Sequence, residues 1–490
     1  MATTAPSTTA SPPARAGAIV ATLAFAGTVA AIMQTLVTPL IGDLPTMLHT
    51  TSANATWVIT GTLLAAAVCT PISGRLGDMF GKRRMLLICL IPLLIGSIVC
   101  ALSSSVLVMI IGRGLQGMGM GMVPLGVSLL RDVVPAEKLS GAIALVSASM
   151  GIGGALGLPI SAAVAQYANW RVLFWGSAVL ALIIGALVTT LIPHTPADEG
   201  DHQRFDLLGG LALGAALVCL LLPITKGSEW GWTSATTLGL FAAAVVLLLG
   251  WGVWELRNSA PLVDLRTTAR PRVLTTNIAS IFVGVGMYSS LLIMPQLLQF
   301  PTATGYGLGQ SLLASGLWMA PGGLMMMLVS PLGGKLTNAR GPKFTLVCGV
   351  LVQAAGYALS LGLMSHAWSI MVAIMVINSG TGLAYGAMPA LIMSSVPLHE
   401  TAAANSFNTL MRSLGTSIGS AVVGVVLAQM TVNLGGTVVT SENGFRTGLA
   451  VGGGVALLAA AIAALIPAAR AARIPGQVPA QEVATASAEA

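Results

Sequence analysis

The sequence predicts an all-α integral membrane protein: fourteen transmembrane helices forming two pseudo-symmetric six-helix bundles plus two extra helices. Three observations predict it. The 490 residues are 55% hydrophobic and only 8% charged, with mean hydropathy +0.88, where a soluble domain carries roughly 25% charged residues. Apolar runs of the length that crosses a bilayer, about 20 residues, recur along the whole chain. One charged passage, "SGRLGDMFGKRR" (73–84), returns as "GGKLTNARGPK" (333–343), with Asn338 in the place of Asp78.

The chain opens on "MATTAPSTTASPPARAG", a Ser/Thr/Pro-rich stretch expected to be a disordered tail over 1–16. No small-residue cleavage site follows the first apolar run, which is therefore expected to be a retained span. Apolar runs then fall near 17–41, 55–76, 84–104, 106–130, 139–166 and 171–193, an N-terminal six-helix bundle over 17–193. The segment 194–272 reads as a linker carrying two extra spans, near 207–224 and 235–255, separated by the Trp/Gly turn "SEWGWTS". Runs near 273–299, 310–334, 343–364, 368–396, 402–430 and 446–468 make a C-terminal bundle over 273–468, with a tail at 469–490.

Lysine and arginine set the orientation. With an even number of spans, placing both termini in the cytoplasm puts all but five of the 22 cations on or beside the inner side. Arg171, Lys226 and Arg446 fall outside, and Arg113 and Arg412 fall within spans. Both termini are therefore expected in the cytoplasm, with the chain in the cell membrane and the lipid bilayer as its surroundings.

Composition also excludes classes. The net charge of +7 comes from short loops and not from a basic face, so nucleic acid is not an expected partner. Cys69, Cys89, Cys100, Cys219 and Cys348 lie in apolar runs without a CxxC pair, which reads as core packing and not a disulfide or metal framework. The five histidines lie in or beside loops. An integral membrane enzyme would need a buried nucleophile, histidine or metal cluster, and none is visible. A sensor would add a soluble signalling domain, for which the tails are too short. No metal and no cofactor are expected, and the chain is expected to act as a monomer.

The repeat extends beyond the charged passages. "VVPAEKLSGA" (133–142) is echoed by "SVPLHETAAA" (395–404), each after a glycine-rich helix. Internally repeated bundles around a midplane cavity are the usual architecture of secondary transporters.

Three motifs sharpen this. The first charged passage meets the pattern G-x-L-x-D-x-x-G-[RK]-[RK]-[RK] with Gly74, Leu76, Asp78, Gly81, Lys82, Arg83 and Arg84. The fourth run contains "RGLQGMG", giving R-x-x-Q-G-x-G with Arg113, Gln116, Gly117 and Gly119. The fifth contains "GGALGLPISA", close to G-x-x-x-G-P-x-x-G-G, with Gly153 and Gly157 in place, Pro159 one residue late, and Ser161-Ala162 for the last glycines. On these residues the chain resembles the fourteen-span drug:proton antiporter branch of the major facilitator superfamily. The resemblance implies export of small hydrophobic molecules, drugs or antibiotics, by alternating access with the proton gradient as energy source. A narrow-specificity metabolite or lipid exporter is the alternative within that class. In the family, the acid matching Asp78 helps latch the two halves in the outward-open state.

The residues themselves allow plainer readings. A carboxylate near a helix end can accept charge-assisted hydrogen bonds or meet the positive end of a helix dipole. Gly81 permits a tight turn, and Lys82, Arg83 and Arg84 serve either the gate or only as anchors facing the anionic leaflet. Arg113, inside the fourth run, costs on the order of 3 kcal/mol to insert unless compensated. It should face a partner or a wet cavity, or else snorkel to the outer surface. Arg412, in "NTLMRSLGTSIG", either bonds carbonyls of neighbouring helices or serves transport. The glycine motif allows close helix approach, and in a transporter that seam is also where the halves rock. Methionine clusters at 118–122 and 325–327 suit soft packing or a promiscuous cavity. Gln34, Asn277, Tyr288, Gln296, Gln353, Asn378, Asn405 and Asn408, with Gln116, are the polar candidates for lining a cavity.

One expected group is missing. The family's fourteen-span exporters commonly carry an acid in the first helix, in an L-D-x-T-I-V pattern, where this chain has "IMQTLV" (32–37). None of the 15 acids falls in the middle of a span. Asp43 lies at the outer end of the first helix, and Asp206 and Glu255 lie at inner edges. This absence argues against lipophilic cations and favours neutral or anionic amphiphiles. Asp43 is the remaining first-helix candidate for coupling to protons.

Overall fold

The structure, a computed structural model, describes residues 13–37, 40, 44–193, 205–434 and 437–467. Asp43, most of the two tails and the 194–204 stretch lie outside the described residues. Fourteen helices among those described are long and apolar enough to cross a membrane. The first bundle comprises α1 (Pro13–Thr35), α2 (Ser52–Phe80), α3 (Lys82–Leu102), α4 (Val106–Val133), α5 (Ala136–Tyr167) and α6 (Arg171–Leu191). The extra pair is α7 (Leu207–Trp230) and α8 (Ala235–Arg257). The second bundle comprises α9 (Pro271–Gln299), α10 (Leu312–Arg340), α11 (Pro342–Gly362), α12 (Ala367–Met393), α13 (Thr401–Gln429) and α14 (Glu442–Ala464).

The helix starts follow capping chemistry. Thr51, Ser105, Asp206, Ser234, Ser311 and Ser441 each accept a backbone N–H of the first turn. The charged passages are not loops, as the expected span ends at 76 and 334 would make them. Helix α2 continues to Phe80 and α3 begins at Lys82, so Gly81 alone joins them, at φ +91°. The second copy does the same between α10 and α11 at Gly341, φ +84°, with Pro342 opening the next helix. The seventh span is longer than expected. It carries Lys226 inside the helix, buried, 3.0 Å from Glu229 and bonded to Thr56 of α2. Pairing with an acid one turn on lets the helix keep the cation.

Packing repeats with the sequence. In the first bundle α1 packs on α5 and α6, α2 on α4, and α3 on α4 and α6. In the second, α9 packs on α13 and α14, α10 on α12, and α11 on α12 and α14, the same pairs eight helices later. Across the bundles α5 lies along α10, and α13 along α2, which is again one contact and its counterpart. The extra pair is not a loose insert. Leu213, Leu217, Leu221 and Trp251 share a core with Ala67 of α2 and Leu410 of α13.

One element departs from the all-α expectation. Thr431–Leu434 pairs antiparallel with Thr437–Thr440, Thr431 opposite Thr440, as a short ribbon between α13 and α14. Runs of β-branched residues, Thr431-Val432 and Thr437–Thr440, on either side of Gly-Gly are the local signal for it.

Candidate functional site: a latch and a central cavity

The two copies of the charged passage meet the two echoing helix starts, each copy crossing to the opposite bundle. Asp78 Oδ1 accepts the Ala402 N–H at 3.0 Å, and Oδ2 accepts the Ala403 N–H at 2.8 Å. These are first-turn amides of α13, which have no partner within their own helix and carry its positive dipole end. In the second copy Asn338 Nδ2 instead donates to the Glu137 carbonyl at the start of α5, at 3.2 Å. An amide makes one neutral bond where the carboxylate makes two charge-assisted ones.

More contacts close the same face. Arg131 Nη1 donates across the bundles to the Val396 carbonyl (3.2 Å) and to Thr401 Oγ1 (3.0 Å). Asn405 Nδ2 donates to the Pro124 carbonyl at 2.9 Å. Gly74 sits against Ser406 with no room for a β-carbon. Of the cations after Gly81, Lys82 pairs with Asp132 at the end of α4, 2.8 Å away, and Arg83 donates to the Thr189 carbonyl of α6 at 2.6 Å. Lys82 therefore braces the joint from within its own bundle.

Between the bundles, at mid-height, lies a cavity lined by Gln34 and Thr35 of α1, Met150 and Ala155 of α5, Met287 and Ser290 of α9, Met319 and Met326 of α10, and Asn378 and Tyr385 of α12. It shares Thr35, Leu158, Leu291 and Met319 with a second cavity lined also by Tyr288, Gln296, Gln299 and Ser315. Gln296 and Ser315 lie toward the ends of α9 and α10 away from the cation-rich face. The two adjoining cavities thus lie from the midplane toward the opposite face, while contacts between the bundles close the cation-rich face. Among the described residues no charged side chain lines either cavity.

Four sequence candidates, Gln34, Tyr288, Gln296 and Asn378, line this space; the others do not. Gln353 is buried between α11 and α12 and donates to Thr381. Asn408 donates to Asn277 and Ser280 of α9, both at 2.8 Å. Asn277 instead borders a separate cavity at the cation-rich face, and Asn405 belongs to the closure described above. Gln353, Asn405 and Asn408 each donate to a polar group of a neighbouring helix.

The buried cations differ. Arg113, 1% exposed, has no carboxylate; Nη1 donates to the Met33 carbonyl (2.9 Å) and Gln116 Oε1 (2.8 Å), and Nε reaches the Val58 carbonyl at 3.5 Å. Gln116 passes the chain on to Ser97 Oγ at 2.8 Å. It neither snorkels nor faces a wet cavity: carbonyl dipoles of α1 and α2 compensate it. Arg412 Cζ stands 4.4 Å from the centroid of the Tyr385 ring, so its charge is one aromatic ring away from the cavity.

The glycine motif packs closely as its spacing implies, but its two glycines and its proline meet different neighbours. Gly153 and Gly157 press on Thr28 and Thr35 of α1, inside one bundle. The seam between the bundles is made by the other side of α5, where Gly151 and Ala155 meet Met326 and Gly323 of α10, and by Pro159 against Gly316. Residues four apart share a helix face, and those two positions away point elsewhere.

Two paired bundles around a central cavity, sealed on one face by contacts between them, define a membrane transporter and not an enzyme. The chain belongs to the Major Facilitator Superfamily, whose family model matches residues 23–420. It is 30% identical over 385 residues to the tetracenomycin C resistance and export protein of Streptomyces glaucescens, covering 78% of this chain and 70% of that protein. It is 26% identical over 412 residues to the multidrug transporter protein MdtP of Bacillus subtilis, covering 82% and 73%. The chain spans 62% of the length of a further, mycobacterial, relative. Among solved structures, the human organic anion transporter MFSD10 superposes with TM-score 0.64 at 15% identity, over 92% of this chain and all of that one.

Proposed function

We propose that this transporter exports small hydrophobic molecules, of the drug and antibiotic kind, by alternating access driven by the proton gradient, with neutral or anionic amphiphiles as its main substrates. The observation that carries this reading is the central cavity: apolar and methionine-rich, with amide and hydroxyl groups at a few points and no carboxylate to attract a cation. Resistance and efflux relatives support the direction of transport. The closed, cation-rich face is cytoplasmic in this reading, so the structure corresponds to an outward-facing state held shut at the inner side by Asp78.

The test is accumulation of a panel of cationic, neutral and anionic antibiotics in cells with and without the protein, each with and without an uncoupler. Lower accumulation of neutral or anionic members, abolished by the uncoupler, is the expected result. Selective export of lipophilic cations would overturn the substrate reading, and export indifferent to the uncoupler would overturn the driving force. Orientation has its own test. Reporter fusions in the turn at 231–234 and within 431–445 are expected outside, and those at 194–205 and 257–272 inside; the reverse pattern would invert the assignment.

A further inference from the structure

The two arginines inside spans are held in different ways. Arg113 donates to the Met33 carbonyl and to Gln116. Arg412, near the middle of α13 and 8% exposed, has neither a carboxylate nor a hydrogen-bond acceptor among the described residues. The carbonyl bonds that would make it a tie between helices are therefore not what holds it. Its partner is one ring: Cζ stands over Tyr385, 4.4 Å from the centroid. A ring face attracts a cation but gives its N–H groups no acceptor atom. A guanidinium kept inside a span with so little compensation is costly, and such groups mark the path of a ligand.

Tyr385 is also part of the wall of the central cavity, which it lines with Gln34 and Asn378. Its hydroxyl donates to Met287 Sδ at 2.6 Å, and Met287 lines the same cavity. A thioether is a weak acceptor on a flexible side chain, so this contact holds the ring softly. Among the described residues the cavity and its neighbour contain no charged side chain of their own. A negative group entering this space meets amides and hydroxyls first. Behind the Tyr385 ring it meets a full positive charge whose N–H groups have no acceptor.

We propose that Arg412 is the specificity-determining residue for anionic substrates. The carboxylate or phenolate group of an amphiphile in the central cavity displaces the Tyr385 ring and pairs with the guanidinium. A ring face is exchanged for charge-assisted hydrogen bonds in a fork geometry that suits a carboxylate. The apolar body of the molecule stays against Met150, Met319 and Met326. A neutral molecule fits the same cavity without moving the ring, so both classes enter and the anion is favoured. A lipophilic cation gains nothing from the displacement, because like charges repel across the ring's place. The inference rests on reading this cavity as the substrate site, and on neither the direction nor the driving force of transport.

The test uses the full chain in phosphatidylcholine nanodiscs, with protein-free discs as the blank, and two probes of one shape, 1-pyrenebutyrate and its uncharged amide. The wild type is expected to bind the carboxylate at least about tenfold more tightly than the amide. Arg412→Gln should abolish that preference by weakening the carboxylate alone. Absence of carboxylate binding to the wild type, equal affinity for both probes, or an equal loss of both in Arg412→Gln would overturn the proposal. Should Arg412→Gln fold poorly, Tyr385→Leu serves. With the ring gone the guanidinium meets the cavity directly, so the preference for the carboxylate should rise, and an unchanged or lost preference would sink the idea. Failure of the exporter reading looks different: cells with and without the protein would then accumulate the antibiotic panel equally, whatever the two probes do.

Discussion

Asp78→Asn is expected to leave the transporter folded and inserted while reducing export at least about tenfold, which takes only about 1.4 kcal/mol on the conformational step that limits it. The substitution is isosteric and removes the charge alone. The carboxylate accepts two amides at the start of α13, and hydrogen bonds to a charged group contribute roughly 1.5–3 kcal/mol. An asparagine turns one acceptor into a donor that points at an N–H. Its counterpart Asn338 shows what an amide does there: it finds a carbonyl instead. The measurement pairs export from cells with thermal unfolding of the purified protein. Near-normal export by a normally stable variant would mean that Asp78 does not latch the halves.

The second large effect is expected at Arg113. Arg113→Ala should lower export at least about tenfold, whereas Arg171→Ala should stay close to the wild type. Truncation strips donors from the Met33 carbonyl and Gln116 Oε1 in a place where water does not reach. Each buried acceptor left without a donor costs about 1–3 kcal/mol. The bond to the Met33 carbonyl ties α4 to α1 next to Gln34, which lines the cavity. Arg171 is half-buried at a helix start, bonded to the Ser103 carbonyl and stacked on Trp170, and water can replace its contacts. Transport rates for both variants, compared at equal amounts of folded protein, decide the matter. Equal, small losses would reduce Arg113 to a space-filling residue.

The sequence made the spans legible because a bilayer demands the same composition from every helix, whatever its neighbours. It made Asp78 legible because an acid in an apolar run has few cheap uses. Its partners were harder to see, since they are backbone amides and carry no residue signature. The clue was present all the same. The echo of 133–142 by 395–404 marks the two helix starts that receive the two copies of the charged passage, and a two-fold relation crosses them. Asp132, which braces Lys82, follows Arg131 in a stretch that reads as an ordinary helix end. The polar span residues divided by helix rotation, which composition does not encode. Gln34 and Asn378 turn toward the cavity, and Gln353 and Asn408 turn toward a neighbour. Gly153 and Gly157 pack closely on a neighbouring helix, and which neighbour, α1, is again a matter of helix rotation.

The single-glycine joints at Gly81 and Gly341 make levers of the helices they connect. Helix α2 has 29 residues, about 43 Å at 1.5 Å per residue, and no slack separates its end from α3. A tilt of about 10° about its middle would carry that end by roughly 4 Å. Such a stroke exceeds what any contact on the closed face tolerates, because hydrogen bonds fail beyond about 3.5 Å. Both bonds of Asp78 to the start of α13 would then part in one movement and not in sequence. A partial tilt of α2 would thus already cost the latch both of its bonds.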